Sequence, residues 1–160
     1  LVAPGFRVGW AVVPDELVTT WNMCRPMIDV GSPLINQELM AELHKDNFLD
    51  GHIAQLVEKY RSRRDAMIKA LEENMPEGIT WTPAHGGFYV WLTLPENIDI
   101  DKLLETSVNN GIIYFTGKFF YLDNKNHNHI RLCFSLPTED VITEGVKRVA
   151  AAVKEEMAKS

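Results

Sequence analysis

A chain of 160 residues, 46% hydrophobic and 24% charged, holds enough apolar material for one full core and part of a second, which excludes a disordered chain. Its net charge of −6 and pI near 5.3, with no block of Lys or Arg, argue against nucleic acid or an anionic membrane as partner. No apolar run approaches the ~18 residues of a membrane span and no signal-peptide pattern is visible, so a cytoplasmic protein is expected.

In chain order, Arg7 to Val13 (Arg-Val-Gly-Trp-Ala-Val-Val) is almost continuously apolar and β-branched. Such a run predicts a strand buried on both faces, which needs neighbours and covering layers. No partner strand precedes it and later elements look used in a core of their own. The run therefore reads as the edge of a larger sheet, and the chain as a fragment of a longer protein. Without that sheet, Val8, Trp10, Val12 and Val13 are expected to detach, pack on the rest of the chain, or pair with a second copy.

Pro14-Asp-Glu-Leu17 has the proline and acidic first turn of a helix start, predicted to run to about Cys24, before Pro26. Ser32 and Pro33 read as the N-cap and first residue of a second helix bearing Ile35, Leu39 and Leu43. A long amphipathic helix is predicted from about Leu49 to Met75, closed by Pro76-Glu-Gly78. Within it, Lys59-Tyr-Arg-Ser-Arg-Arg64 reads as a solvated face.

The second half alternates differently. Ile79–Thr82 and Gly87–Leu94 read as strands, residues 101–110 as a short helix closed by a left-handed Gly111, and Ile112–Phe115 and Ile130–Phe134 as further strands. A closing helix begins near Thr138, with Ile142, Val146, Val149, Val153 and Met157 on its stripe. The pattern is an α+β domain: a small antiparallel or mixed sheet with helices packed on one side.

Cys24 and Cys133 form no metal or redox pair and read as small buried or half-buried apolar residues. The histidines show no ligand spacing, and no metal site is expected. His127 and His129 share a polar loop with Asn124, Asn126 and Asn128 and read as a solvated turn. Arg131 stands out, because a guanidinium after a strand-like approach suits a bidentate grip on a carboxylate, and Arg7 sits two residues after a Pro-Gly turn. Taken singly, each reads more readily as an ordinary arginine paired with a carboxylate.

Five motifs taken together change that balance. Ala3-Pro-Gly-Phe-Arg-Val-Gly-Trp10, Ser32-Pro33 with Gln37, Gly86-Gly-Phe-Tyr-Val-Trp91, Phe115-Thr-Gly117 and Ile130-Arg-Leu-Cys-Phe-Ser135 resemble, in order, the C-terminal part of a fold-type I pyridoxal-phosphate-dependent aminotransferase. The resemblance is nearest to the aminoadipate and kynurenine aminotransferase branch. It implies residues 1–31 as a remnant of the large cofactor-binding domain with its connecting helix, and residues 32–160 as the small C-terminal domain.

The same resemblance assigns Arg7 to the phosphate of pyridoxal 5'-phosphate and Arg131 to the α-carboxylate of an amino-acid or 2-oxo-acid substrate. It implies a homodimeric parent whose loops around Gly31-Ser32-Pro33 approach the neighbouring active site, although capping accounts for Ser32 without that role. The Schiff-base lysine belongs just before Leu1, so no residue here is expected to be catalytic and the chain alone is expected to be inactive. Gly86-Gly87 reads as a tight bend and Trp91 as core. The family often has Gly-Gly-Met-Phe-x-Trp at Gly86–Trp91 and a proline where Thr116 stands, which leaves the loop at Thr116 open. Two other readings compete: an effector-binding half of a helix-turn-helix transcription regulator, the one version that would bring in nucleic acid, and a stand-alone small-molecule binding or interaction domain.

Overall fold

The computed structural model describes residues 4–122 and 128–159. The expected turn around residues 124–127 lies outside these residues, His127 included. Internal contacts gather into two compact units that meet in sequence at Leu56 and Val57.

In the first unit a 3-10 turn, Pro4–Phe6, leads into irregular chain as far as Pro14. The strand predicted over 7–13 does not form, and Trp10 and Val12 stand exposed. The physical reason is that a strand is completed by ladder hydrogen bonds to a neighbour, and none of the described strands pairs with this run. Helix α1 spans Asp15–Asp29 and carries Asp15 and Glu16 in its first turn. It does not stop before Pro26, which lies inside it. Proline removes one helical hydrogen bond, but its fixed φ is helical, and the helix ends only where Val30 turns left-handed at φ 61°.

Helix α2, Leu34–Leu43, has Pro33 at its N-cap and no side-chain cap. Ser32 is therefore not the cap. Its hydroxyl instead accepts from Arg25 Nη2 at 2.9 Å, and its carbonyl accepts from Gln37 Nε2 at 2.8 Å.

Helix α3, Phe48–Asn74, enters the second unit, where Met67, Ala70 and Leu71 are buried. The sheet of that unit comprises β1 (Thr80–Trp81), β2 (Tyr89–Thr93), β3 (Phe115–Thr116) and β4 (His129–Cys133), in the order β1-β2-β4-β3 with every pairing antiparallel. Val90, Leu92, Ile130, Leu132 and Thr116 alternate onto one face and join a core with α3, α4 (Ile100–Asn109) and α5 (Glu139–Lys159). All the helices of this unit pack on that face, as the α+β reading expects.

Asp99 caps α4, its carboxylate accepting from the backbone amides of Asp101 (3.0 Å) and Lys102 (3.2 Å). Gly111, at φ 77°, closes the helix: its amide donates to the Val108 carbonyl, and the Ile112 amide to that of Ser107. That pair of bonds is the Schellman pattern, which needs the left-handed residue predicted there. Thr106 Oγ1 donates to Glu156 at 2.7 Å and ties α4 to α5.

Tyr114 is buried, with its hydroxyl 2.9 Å from Ser107 Oγ. Burial penalises the phenolate and raises its pKa to about 12, a shift that the Ser107 hydrogen bond partly opposes. A pKa raised on folding leaves stability intact below the unfolded value near 10 and removes it as pH climbs through the folded value. The unfolding free energy from denaturant titrations is therefore expected to fall between pH 10 and about 12, by up to roughly 2–3 kcal/mol. Tyr114→Phe is expected to flatten that decline, and an unchanged slope in the variant would show that Tyr114 does not cause it.

Candidate functional site

The sheet face opposite the helices carries a different chemistry. Alternation along β2 and β4 places Tyr89, Trp91 and Thr93 with His129, Arg131 and Cys133 on that face, and the register aligns Phe115, Arg131 and Trp91 across three strands. Phe119 and Phe120, from the 3-10 turn Gly117–Phe120 after β3, add two more rings. Arg131 is the one cation among these residues.

Its guanidinium lies 3.9 Å from the Tyr89 ring centroid, 4.4 Å from Phe120 and 5.1 Å from Phe115. Tyr89 reaches it diagonally from β2, whereas Phe120 also meets Trp91 edge-on at 5.4 Å. The Arg131 Nε is buried without a hydrogen-bond partner, and no carboxylate of the described residues pairs with this side chain. A planar cation with unused donors, stacked on rings and left un-neutralised, is suited to an anion arriving at its edge. Arg131 and Tyr89 also line an open groove of ≈ 960 Å³ with Ile113, Phe115, Leu136 and Val141. Below the strand, Arg63 Nη1 donates to the Ser135 carbonyl and anchors the chain as it leaves β4. The basic run 59–64 is thus solvated only in part, since Arg63 is buried.

Arg7 belongs to the first unit and is described there alone. Its backbone is left-handed, at φ 52°, and its amide closes the turn onto Pro4. The flanking carbonyls are held: that of Phe6 by Asn36 Nδ2 at 2.9 Å, that of Arg7 by the Ser32 hydroxyl at a long 3.5 Å. These bonds fix an unusual backbone and leave the exposed guanidinium free of any ion pair with a described residue.

Several expectations need correction. Trp91 is not core: it lies half-buried on the open face, its ring 5.4 Å from that of His129. His129 is the first residue of β4 rather than part of a turn. Both cysteines are exposed, Cys24 within α1 and Cys133 on the open sheet face. Gly87, at φ 75°, does make the predicted bend, and Thr116 sits fully buried in β3 where the loop geometry was open. The rings of Tyr89, Phe115 and Phe120 escaped the sequence reading, although their spacing in strand-like segments beside Arg131 was the available signal. Among the described residues no group of His, Cys, Asp and Glu is arranged to hold a metal, and no helix is long and apolar enough to cross a membrane.

An antiparallel sheet layered by helices on one side, with an unpaired arginine among rings on the other, matches a known family along most of its length. The model of the aminotransferase class I and II family covers residues 1–149, and the chain belongs to that family. Among curated relatives, the aromatic-amino-acid aminotransferase 1 of Thermococcus litoralis is 40% identical over 99% of this chain and 38% of its own length. The crystal structure of the Pyrococcus horikoshii kynurenine aminotransferase, in complex with PMP, KYN as substrates and KYA as products, superposes with a TM-score of 0.87 at 38% identity, over 96% of this chain and 38% of that one. An uncharacterized HTH-type transcriptional regulator of Bacillus subtilis, YdfD, is 30% identical over 96% of this chain and 32% of its own. The chain thus spans well under half the length of the relatives it matches.

Proposed function

We propose that this chain is the substrate-carboxylate-binding C-terminal part of an aminotransferase that moves an amino group between an amino acid and a 2-oxo acid using pyridoxal 5'-phosphate. Residues 1–31 then belong with the large domain and 32–160 form the small one. The family resemblance adds a homodimeric parent, and the parent is proposed to be cytoplasmic. The observation that carries the reading is Arg131, a guanidinium with free donors and no counter-ion among the described residues, on an open, ring-lined face.

Arg131 would receive the α-carboxylate through two parallel hydrogen bonds, which fixes the orientation of the Cα substituents. Arg7 fits a phosphate: a permanent cation on a fixed turn, exposed and not neutralised by a described carboxylate. When bound, the cofactor supplies an electron sink for the Cα–H bond. In this reading Arg7 and Arg131 bind and orient, and none of the described residues is assigned a proton to move in that reaction. A transcription-regulator parent is the second reading, favoured by the match to the Bacillus subtilis regulator. Helix-turn-helix sequence upstream of Leu1 would decide for it, as a reactive lysine there would decide for the enzyme.

The test is a titration of the chain with pyruvate, followed by isothermal calorimetry for every variant and, where the arginine is present, also at the Arg131 Nε–H resonance. A saturable shift is expected, with affinity in roughly the millimolar range, and methyl pyruvate, which lacks the carboxylate, should produce none. Arg131→Ala should abolish binding. Arg131→Lys, which keeps the charge but loses the fork, should weaken it about tenfold. Equal responses to acid and ester would overturn the assignment.

A further inference from the structure

An arginine on a strand is normally held by an ion pair or by hydrogen bonds to backbone carbonyls. The described residues offer Arg131 neither, and its Nε is buried without a partner. Yet Arg131 sits midway along β4, paired on both sides, and rings approach its guanidinium at 3.9 and 4.4 Å. We infer that Tyr89 and Phe120 are positioning residues for Arg131, holding its guanidinium plane by stacking so that its in-plane donors point at the incoming carboxylate.

This inference rests on the reading of Arg131 as the carboxylate grip, and it explains a requirement of that reading. A protein carboxylate would hold the arginine equally well, but it would occupy the same donors and cancel the charge the ligand needs. Rings avoid both costs. They contact the guanidinium faces, where it donates no hydrogen bonds, and leave its edge free. They also displace water from those faces, which strengthens the interaction with an anion. Two rings from different segments, β2 and the turn after β3, confine the plane better than one. Phe115, at 5.1 Å, is the more distant neighbour. Tyr89 and Phe120 are both 44% exposed, so truncating either leaves no core cavity.

The experiment compares the full chain with Tyr89→Leu, Phe120→Leu, Tyr89→Phe and Arg131→Ala, with pyruvate as the probe. Each leucine variant is expected to weaken pyruvate binding about three- to tenfold. Each should also move the Arg131 Nε–H resonance of the ligand-free protein, because the ring current over it is lost. Tyr89→Phe keeps the ring and should recover the binding lost in Tyr89→Leu. If Arg131→Ala binds pyruvate as the parent chain does, the carboxylate reading itself falls. If Arg131→Ala loses binding while both leucine variants retain it, the reading stands and the stacked clamp is wrong. A Tyr89→Phe variant as weak as Tyr89→Leu would assign the effect to the hydroxyl and overturn the clamp as well.

Discussion

Mixed with pyridoxal 5'-phosphate and an amino acid, the 160-residue chain is expected to give no transaminase turnover and no adduct on a single lysine. A lysine that carries an aldehyde must reach it uncharged, which proteins achieve by burial or by a neighbouring cation. The lysines described here have the opposite surroundings. Lys45 lies 2.5 Å from Glu42, Lys159 is 2.7 Å from Glu155 and 2.9 Å from Glu156, and Lys118 pairs with Asp101. Lys69 and Lys102 face Glu73 and Asp99 at 3.9 Å, and Lys59, Lys147 and Lys154 are exposed.

A carboxylate neighbour holds an ammonium in its charged, non-nucleophilic form. The Glu155 and Glu156 contacts raise the pKa of Lys159, in the direction that makes it a poorer nucleophile. In transamination the lysine that carries the aldehyde also commonly serves as the base for the Cα proton, a role none of the lysines described here is placed to fill, and lacking a positioned base alone costs about 10²–10⁴-fold in rate. Borohydride reduction followed by peptide mass spectrometry is the check. Sparse label scattered over surface lysines is the expected pattern. One lysine labelled to near completion, or measurable turnover, would show that the chain carries a reactive amine of its own.

Periodicity made the second unit readable. Ile142, Val146, Val149 and Val153 on α5 are buried as their helical spacing predicted, because a stripe of that kind has one stable use. The segment from Arg7 to Val13 shows the limit of the same argument. A β-branched run specifies a strand only when a sheet edge supplies donors and acceptors, and that condition is not local. Trp91 misled for a related reason: β2 is apolar on both faces, so alternation separates Trp91 from Val90 and Leu92 without saying which face the helices cover. Arg131 could be picked out from sequence as a candidate, whereas its surroundings could not, since Tyr89, Phe115 and Phe120 come from separate segments that only the β2-β4-β3 order brings together. At Ser32-Pro33 the motif marked a helix entry correctly, but the cap fell one residue later, and the freed hydroxyl went to Arg25.

Phe134 and Arg131 lie on opposite sides of the same chain segment, and truncating each to alanine is expected to separate stability from binding. Phe134 is 1% exposed and belongs to the core formed with α3, α4 and α5. Its amide also donates to the Phe88 carbonyl at 3.0 Å, extending the pairing of β4 with β2. Removing the ring should cost about 3–5 kcal/mol, the transfer energy of the lost atoms plus that of the cavity left behind. For a unit of this size that lowers Tm by more than about 10 °C, and it approaches the lower end of total domain stability. Arg131→Ala removes only a half-exposed side chain from the open face, where stacking offers about 0.5–2 kcal/mol, so it should melt within a few degrees of the parent while losing pyruvate. Thermal melts of both variants, monitored by far-ultraviolet circular dichroism, make the comparison. Equal destabilisation by the two truncations would mean that the face bearing Arg131 is packed as tightly as the helix-covered one, and that the arginine is structural rather than held ready for a ligand.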